Sequence, residues 1–196
     1  MSARYTTRAL RNTLGACVVA ACAMLYCASP AQACTIFRVT ADDGSIIIAR
    51  SMEFAVDMKY DIVVIPRDRA YTSPAPDGKQ GLTWKARNGY VGVGALGLPY
   101  GITDGMNEKG LAIGVLWFES DMKWQTVGPN ETPRALAQCM FADWVLGSFS
   151  DVEELKREVR NVKVFGYADP NTRGMSLTVH FAVYDAKGGS VVVEYE

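Results

Sequence analysis

Histidine is nearly absent from this sequence, and few cysteines remain once residues 1–33 are set aside. The 196 residues include one histidine, His180, and five cysteines, of which only Cys34 and Cys139 follow residue 33. Zinc sites need several such ligands, and a serine–histidine–aspartate triad would depend on His180 alone. Two cysteines do not make a disulfide scaffold. We therefore predict no metal and no other cofactor, with Cys139 a buried free thiol or, alternatively, bridged to Cys34.

The sequence also lacks an excess of basic residues. It contains 20 lysines and arginines against 21 aspartates and glutamates. Because Arg4, Arg8 and Arg11 lie within residues 1–33, the rest keeps 17 basic against 21 acidic residues, a net charge of −4. This charge argues against a nucleic-acid partner. With 49% apolar residues overall, the chain from Cys34 onward suffices for one domain core.

A hydrophobic run long enough to span a membrane comfortably is missing as well. The apolar stretch Leu14 to Cys27 follows a basic start and precedes Ala31-Gln32-Ala33, an A-x-A cleavage site. Residues 1–33 are therefore predicted to be a signal peptide of an exported protein, periplasmic or secreted, that leaves the membrane after cleavage. The alternatives are an uncleaved anchor and acylation of Cys34, although Ala31 replaces the apolar residue usual three positions before an acylated cysteine.

Most of the predicted elements are short β-strands. Thr35–Thr40 and Ile46–Arg50 flank a turn cluster and predict a hairpin. Asp61–Pro66 predicts another strand, and residues 67–80, rich in proline, aspartate and glycine, predict a surface loop. Residues 84–96 and 110–118 predict a strand pair joined by a turn-rich segment. Further strands are predicted at residues 162–166, 177–184 and 190–195, the last two as a hairpin.

Two helices are predicted between these strands. Thr132-Pro133 supplies an N-cap and a first-turn proline for a helix over Arg134–Leu146. Ser150 and Glu153 form a capping box for a second helix, which ends near Asn161. Strands, helices and strands in this order predict an α+β fold. Because the sequence stops at Glu196 on a strong β run, we expect that C-terminal sequence is missing.

Cleavage after Ala33 would change the chemistry of Cys34. A cysteine at the start of a chain has a thiol of reference pKa about 8.5 and an α-amine of about 7.7 to 8.0. The amine can take the thiol proton near neutral pH, so one residue supplies nucleophile and base. The Arg50 guanidinium would favour the thiolate, and the Glu53 carboxylate could hold the amine. The alternative is a surface Arg–Glu pair that contributes little.

Four motifs in one order give the chain a resemblance to a known family. They are Cys34-Thr35, Ala49-Arg-Ser-Met-Glu-Phe54, Asp104-Gly-Met-Asn-Glu-Lys-Gly-Leu111 with its following strand, and the hairpin over residues 177–194. The chain resembles the choloylglycine hydrolase and penicillin V acylase family of N-terminal nucleophile hydrolases. The resemblance covers nearly all of the sequence after residue 33. It implies an α+β fold, an αββα sandwich, that is incomplete at the C-terminus.

The resemblance also implies roles for particular residues. They are catalytic roles for Cys34, Arg50 and Glu53, and substrate contacts from Met52, Phe54 and Trp117. Glu53 stands where the family usually has aspartate, so its carboxylate reaches one methylene further. Trp117 occupies a strand position where bile salt hydrolases tend to have asparagine and classical acylases tyrosine; its alternative is a core tryptophan. The family's oxyanion asparagine and second arginine are expected beyond Glu196.

The expected function is hydrolysis of a linear amide C–N bond in a small-molecule amide. Conjugated bile salts, penicillin V and N-acyl homoserine lactones are the candidate substrates that the resemblance implies. Family members form homo-oligomers, and the assembly of this chain is left open. The alternative is a truncated, catalytically inactive remnant or a substrate-binding fragment, because loss of one oxyanion donor costs about 2.7 to 4 kcal/mol of transition-state stabilisation.

Overall fold

The computed structural model of the chain describes residues 34–54, 57–98, 100–118, 122–172, 174 and 176–195, so the predicted signal peptide lies outside it. No helix within these ranges is long and apolar enough to cross a membrane. The strands are β1 Ile36–Thr40, β2 Ile46–Arg50, β3 Asp61–Ile65, β4 Ala70–Pro74, β5 Gln80–Lys85, β6 Tyr90–Gly94, β7 Asp104–Asn107, β8 Ala112–Trp117, β9 Ala135–Ala137, β10 Lys163–Phe165, β11 Val179–Tyr184 and β12 Ser190–Val193. The α-helices are α1 Phe141–Ser148 and α2 Val152–Glu158.

Six strands form the main sheet in the order β12-β11-β8-β7-β6-β3, and every neighbouring pair is antiparallel. The predicted hairpin of β11 and β12 is confirmed. Asp185 stabilises its turn, because Oδ1 accepts hydrogen bonds from the backbone N–H groups of Lys187 (3.0 Å) and Gly189 (2.7 Å). Its Oδ2 accepts from the N–H of Val152 at 3.0 Å. One turn residue therefore ties the hairpin to the start of α2.

Helix α1 covers one face of this sheet. It approaches β7 so closely that a Cβ atom on Gly105 would lie 2.7 Å from Cδ1 of Leu146. The Asn107 side chain caps the helix end, since Nδ2 donates to the carbonyls of Leu146 (2.9 Å) and Phe149 (2.7 Å). The core between helices and sheet is made of fully buried side chains, among them Phe141, Val145, Leu146, Val152, Leu155, Phe181 and Val183.

The predicted hairpin of β1 and β2 is confirmed and packs on the opposite face. A Cβ on Gly114 would lie 2.6 Å from Cδ1 of Ile36. Gly114 is paired with Asp104 and Gly105 with Ile113, so the two glycines belong to opposite faces of the sheet. Helices on one face and a β-hairpin on the other confirm the predicted α+β class. Beyond the hairpin, this second face exposes Ile62, Val64, Val91 and Met106.

Three of the strand predictions are wrong. The single strand predicted over residues 84–96 is divided between the end of β5 and β6, with residues 86–89 in neither. The segment predicted as a turn between residues 96 and 110 contains β7, which lies between β6 and β8 and pairs with both. The two flanking strands are therefore not a direct pair. Residues 67–80, predicted as a loop, contain β4, which pairs antiparallel with β5. Tyr71 and Ser73 are buried and alternate with exposed Thr72, so even this short polar stretch has the period of a strand.

The helix predictions are wrong at their N-termini. The first helix begins at Phe141 and not at Arg134, because Ala135–Ala137 form β9, which pairs in parallel with β10. The N-cap of the second helix is Asp151, whose Oδ1 accepts from the N–H of Glu154 at 2.9 Å. Glu154 in turn accepts from the N–H of Ser150 at 2.8 Å. The predicted N-cap bond therefore exists one residue further along the chain, whereas the reciprocal bond still starts from Ser150, which now precedes the N-cap.

Candidate active site

The six site residues predicted from the sequence line a single cavity of about 70 Å³, which we call the Cys34 cavity. Its walls are Cys34, Arg50, Met52, Glu53, Phe54, Met58, Tyr60, Thr103, Val115, Trp117, Leu177 and Val179. The hairpin register explains the clustering. Because β1 and β2 are antiparallel and Ile36 is paired with Arg50, the residues before Ile36 lie beside those after Arg50.

Cys34 is held at the open end of this hairpin. The N–H of Ser51 donates to the carbonyl of Thr35 at 2.9 Å, and the N–H of Thr35 donates to Ser51 Oγ at 3.2 Å. These bonds extend the pairing past β1 and place the half-buried Cys34 next to Glu53, whose backbone oxygen lies 3.9 Å from Sγ. Cys34 and Cys139 are both free thiols, so the alternative of a bridge between them is wrong.

Arg50 ends β2 and reaches from the hairpin to the main sheet. Its Nη1 donates to the carbonyl of Val115 (2.6 Å), to Oδ2 of Asp104 (3.0 Å) and to the carbonyl of Thr103 (3.5 Å). The side chain is only 10% exposed. This partly buried pair with Asp104 differs from the exposed Arg–Glu pair considered as an alternative. A cation is thereby fixed in the wall of the cavity that contains Cys34.

Two residues of this region, Asp104 and Tyr60, were not assigned a role from the sequence. Burial raises the pKa of Asp104 to about 6, and the charge of Arg50 opposes that rise. Burial also raises the pKa of Tyr60, opposed by Arg50 and reinforced by Cys34, Asp104 and Asp57. Tyr60 thus lies within electrostatic reach of all these charged groups around the thiol. No local pattern reveals the contact of Asp104 with Arg50, 54 positions away.

The remaining walls of the cavity are mainly apolar. Trp117 and Phe54 meet edge to face, with ring centroids 5.5 Å apart and planes inclined by 72°. Trp117 therefore contributes to the cavity wall and is not a purely core tryptophan. A second apolar cavity of about 80 Å³ shares five of these walls and extends to Cys139. Both are well below the roughly 300 Å³ of a site for a drug-sized ligand.

Two larger clefts on the described part of the chain lack an ionisable cysteine. A cleft of about 400 Å³ is lined by Arg69, Lys79 and Tyr100 and reaches Cys139. Burial raises the pKa of Cys139 to about 12, so this residue stays a thiol at neutral pH. The other cleft, of about 540 Å³, is lined by charged residues such as Arg87 and Glu154 but by no cysteine. The two largest clefts therefore do not contain Cys34.

His180 lies apart from the walls of the Cys34 cavity. It is in the middle of β11, with Nδ1 3.2 Å from Oε1 of Glu194. Burial lowers its pKa, so the imidazole is neutral at pH 7. Across the ranges that the structure describes, no three histidine, cysteine, aspartate or glutamate residues form a group that could hold a metal ion.

Comparison with known proteins gives consistent matches. Residues 34–196 match the profile of the linear amide C–N hydrolases, choloylglycine hydrolase family. The chain is 30% identical over 154 residues to a penicillin V acylase of Pectobacterium atrosepticum, and the match covers 76% of this chain and 40% of that protein. It is 31% identical over 169 residues to a bile salt hydrolase/transferase of Clostridium perfringens, and the match covers 82% of this chain and 47% of that protein.

Comparison with solved structures points to the same family. The penicillin V acylase from Agrobacterium tumefaciens superimposes with a TM-score of 0.67 and 28% identity, covering 82% of this chain and 46% of that one. A variant of the conjugated bile acid hydrolase from Clostridium perfringens superimposes with a TM-score of 0.68 and 25% sequence identity. The match covers 82% of this chain and 47% of that one. The chain spans about half the length of the curated relatives it matches. These likenesses confirm the predicted family and the sandwich fold of N-terminal nucleophile hydrolases.

Proposed function

The chain belongs to the choloylglycine hydrolase family of linear amide C–N hydrolases, and from this premise we propose that it cleaves amides through a thioester on Cys34. One observation carries the proposal: Cys34 shares a small, mainly apolar cavity with the buried cation of Arg50. A thiol beside a fixed guanidinium is favoured as thiolate, the nucleophilic form. The apolar walls would receive the acyl part of the substrate.

The first half of the reaction forms the thioester. We place the mature N-terminus at Cys34, after removal of residues 1–33 from an exported, periplasmic or secreted protein. The α-amine takes the thiol proton, and the thiolate attacks the amide carbonyl carbon to give a tetrahedral oxyanion. Arg50 stabilises the thiolate, while the Glu53 carboxylate holds the protonated amine by a charge-assisted hydrogen bond. Backbone N–H groups stabilise the oxyanion.

The second half releases the products. The C–N bond breaks, and the leaving nitrogen takes the proton from the α-ammonium group, which leaves the acyl group bonded to Sγ of Cys34. Water then attacks the thioester, the α-amine accepts its proton, and the carboxylic acid departs as the thiol is restored. Met52, Phe54 and Trp117 contact the acyl group. The substrate is a conjugated bile salt, penicillin V or an N-acyl homoserine lactone.

Acyl transfer to Cys34 can be tested by peptide mass spectrometry. The chain is expressed with residues 1–33 present, incubated with penicillin V or a glycine-conjugated bile salt, and quenched in acid. We expect an N-terminal peptide that begins at Cys34 and carries the acyl group. Cys34→Ala should abolish both adduct and hydrolysis, whereas Cys139→Ala, the matched control at the other free thiol, should keep them.

Two results would count against this function. Hydrolysis that survives Cys34→Ala, or an adduct on another residue, would show that Cys34 is not the nucleophile. An adduct that forms on Cys34 without release of acid would instead favour the substrate-binding fragment over the hydrolase.

A further inference from the structure

We propose that Asp104 is a positioning residue, whose carboxylate holds the Arg50 guanidinium in the wall of the Cys34 cavity and so increases the thiolate fraction of Cys34. The inference rests on the proposed role of Cys34 as nucleophile. It adds a residue for which the family resemblance implied no role. The contacts that carry it join the end of β2 to the start of β7.

The hydrogen bonds of Arg50 use only part of its guanidinium. A guanidinium has five N–H donors, on Nε, Nη1 and Nη2. Here Nη1 donates to Val115, Asp104 and Thr103, and Nε donates to the carbonyl of Ser51 at 3.1 Å. Within the described ranges, Nη2 donates no hydrogen bond to the protein. The Arg50 residue that carries this nitrogen lines the same cavity as Cys34.

Asp104 is the charged member of this set of acceptors, because the other three are backbone carbonyls. A charge-assisted hydrogen bond is roughly twice as strong as a neutral one. Asp104 itself is fixed, since its backbone is paired with Val93 on one side and Gly114 on the other. Its side chain is 21% exposed, and burial raises its pKa to about 6. The poorly hydrated carboxylate of Asp104 is therefore held on a rigid strand and forms an ion pair with the poorly hydrated guanidinium of Arg50.

Asp104 acts on Cys34 in two opposite directions. Through space, its negative charge disfavours the thiolate. Through Arg50, it keeps a positive charge in the wall of the cavity that contains Cys34, which would favour the thiolate. Among the described residues, the other titratable groups around the cavity are Glu53, Asp57 and Tyr60, together with the α-amine of Cys34 in the processed chain, and substitutions of Asp104 leave all of them in place. The sign of the change when Asp104 is replaced therefore separates positioning from a direct charge effect.

Alkylation of Cys34 by iodoacetamide across a pH series measures thiolate formation without requiring turnover. The rate is read on the full chain by mass spectrometry of the peptide that contains Cys34, so other cysteines do not contribute. Asp104→Ala should move the midpoint of the rate profile up by about one pH unit and slow alkylation at pH 7 roughly tenfold, and we expect the same of Arg50→Gln. Asp104→Asn keeps an acceptor for Nη1 and should fall between Asp104→Ala and the unmodified chain.

Asp57→Asn is the matched control. It removes an exposed carboxylate that interacts with Tyr60 at the same cavity and that accepts a bond from the N–H of Lys59. We expect it to leave the midpoint unchanged or slightly lower. A downward shift in Asp104→Ala would show that Asp104 acts only as a nearby charge, and this would overturn the proposal.

Folded Asp104 variants with an unshifted midpoint would equally overturn it, since the role of Asp104 would then be structural alone. If Asp104→Ala does not fold, the direction of the shift in Asp104→Asn decides. Failure of the proposed function is a separate result, because hydrolysis by Cys34→Ala would leave the alkylation profiles of the Asp104 variants unchanged.

Discussion

Asp143 offers a quantitative test of how α1 is joined to the segment that carries Thr103 and Asp104. Asp143 is completely buried in α1. Its Oδ1 accepts from the hydroxyl of Tyr90 at 2.8 Å, and its Oδ2 accepts from the N–H groups of Gly101 (2.9 Å) and Ile102 (3.5 Å). One carboxyl group therefore connects the helix, β6 and the chain that leads into β7.

Replacement of Asp143 by alanine should be severely destabilising. It would leave two close donors, the Tyr90 hydroxyl and the Gly101 N–H, without this acceptor. Each buried group left unsatisfied costs about 1–3 kcal/mol, so the free energy of unfolding should fall by about 2–6 kcal/mol. Asp143→Asn should cost less, because its oxygen still accepts from Gly101 and its amide can donate to the Tyr90 oxygen.

The pH dependence gives a second readout with a defined sign. Burial raises the pKa of Asp143 above its usual 3.8, so the folded state binds this proton more tightly than the unfolded state. The stability from the protonated carboxyl is present below about pH 4 and is lost as pH rises. The asparagine side chain of Asp143→Asn has no proton to lose in this pH range, so it contributes no such pH dependence. Its free energy of unfolding, minus that of the unmodified chain, should therefore increase as pH rises above 4.

Urea unfolding between pH 4 and pH 8, followed by tryptophan fluorescence, measures both effects. The reasoning would be refuted if Asp143→Ala were as stable as Asp143→Asn, because the two donors would then not depend on this acceptor. It would also be refuted if the difference between Asp143→Asn and the unmodified chain stayed constant or fell with rising pH.

Two further predictions concern packing and thiol reactivity. Gly92→Ala should lower the free energy of unfolding by about 1–3 kcal/mol, because its Cβ would lie 2.8 Å from the backbone oxygen of Asp104, which cannot rotate away. An equal loss in the control Gly94→Ala, where the nearest atom would be at 3.4 Å, would contradict this. Cys139, whose pKa burial raises to about 12, should resist iodoacetamide at pH 8 when folded and react in urea; equal rates in both states would count against its burial.

The two predicted hairpins were found because the information for them is local. In the first, Asp43 Oδ1 accepts from the N–H of Ser45 at 2.9 Å, and Gly44 has a φ of +83°. In the second, Asp185 holds the turn and Gly188 has a φ of +87°. Turn residues of this kind, flanked by alternating β-branched side chains, specify both partners within a short stretch of sequence.

The errors in the fold prediction arise where pairing partners are far apart in sequence. Ala135–Ala137 have the composition of a helix, yet they are completely buried and pair with Lys163–Phe165, which follow both α-helices in the chain. Tertiary burial overrides the local propensity there. Strand β7 was missed for a similar reason, since its polar and glycine-containing sequence becomes a strand only between β6 and β8.

The residues of the candidate site also fall into two groups, those that neighbouring sequence brings together and those that only the tertiary fold brings together. Cys34, Arg50 and residues 52–54 belong to one hairpin and its ends, so a correct hairpin brings them together. Trp117 required the family resemblance, because it reaches the cavity from β8. The contact between Asp104 and Arg50 joins two layers of the fold across 54 positions, and no spacing in the sequence predicts it.

Thiol ionisation and turnover make separate demands on the structure. Cys34, Arg50 and Asp104 all lie within the described residues, and the proposals above make them the determinants of thiol reactivity. Turnover also needs donors at the developing oxyanion, and loss of one such donor slows an acyl transfer by roughly a hundred- to a thousandfold. A reactive Cys34 is therefore compatible with slow hydrolysis of amides. Rapid alkylation with slow turnover would place the deficit in oxyanion stabilisation and not in the nucleophile.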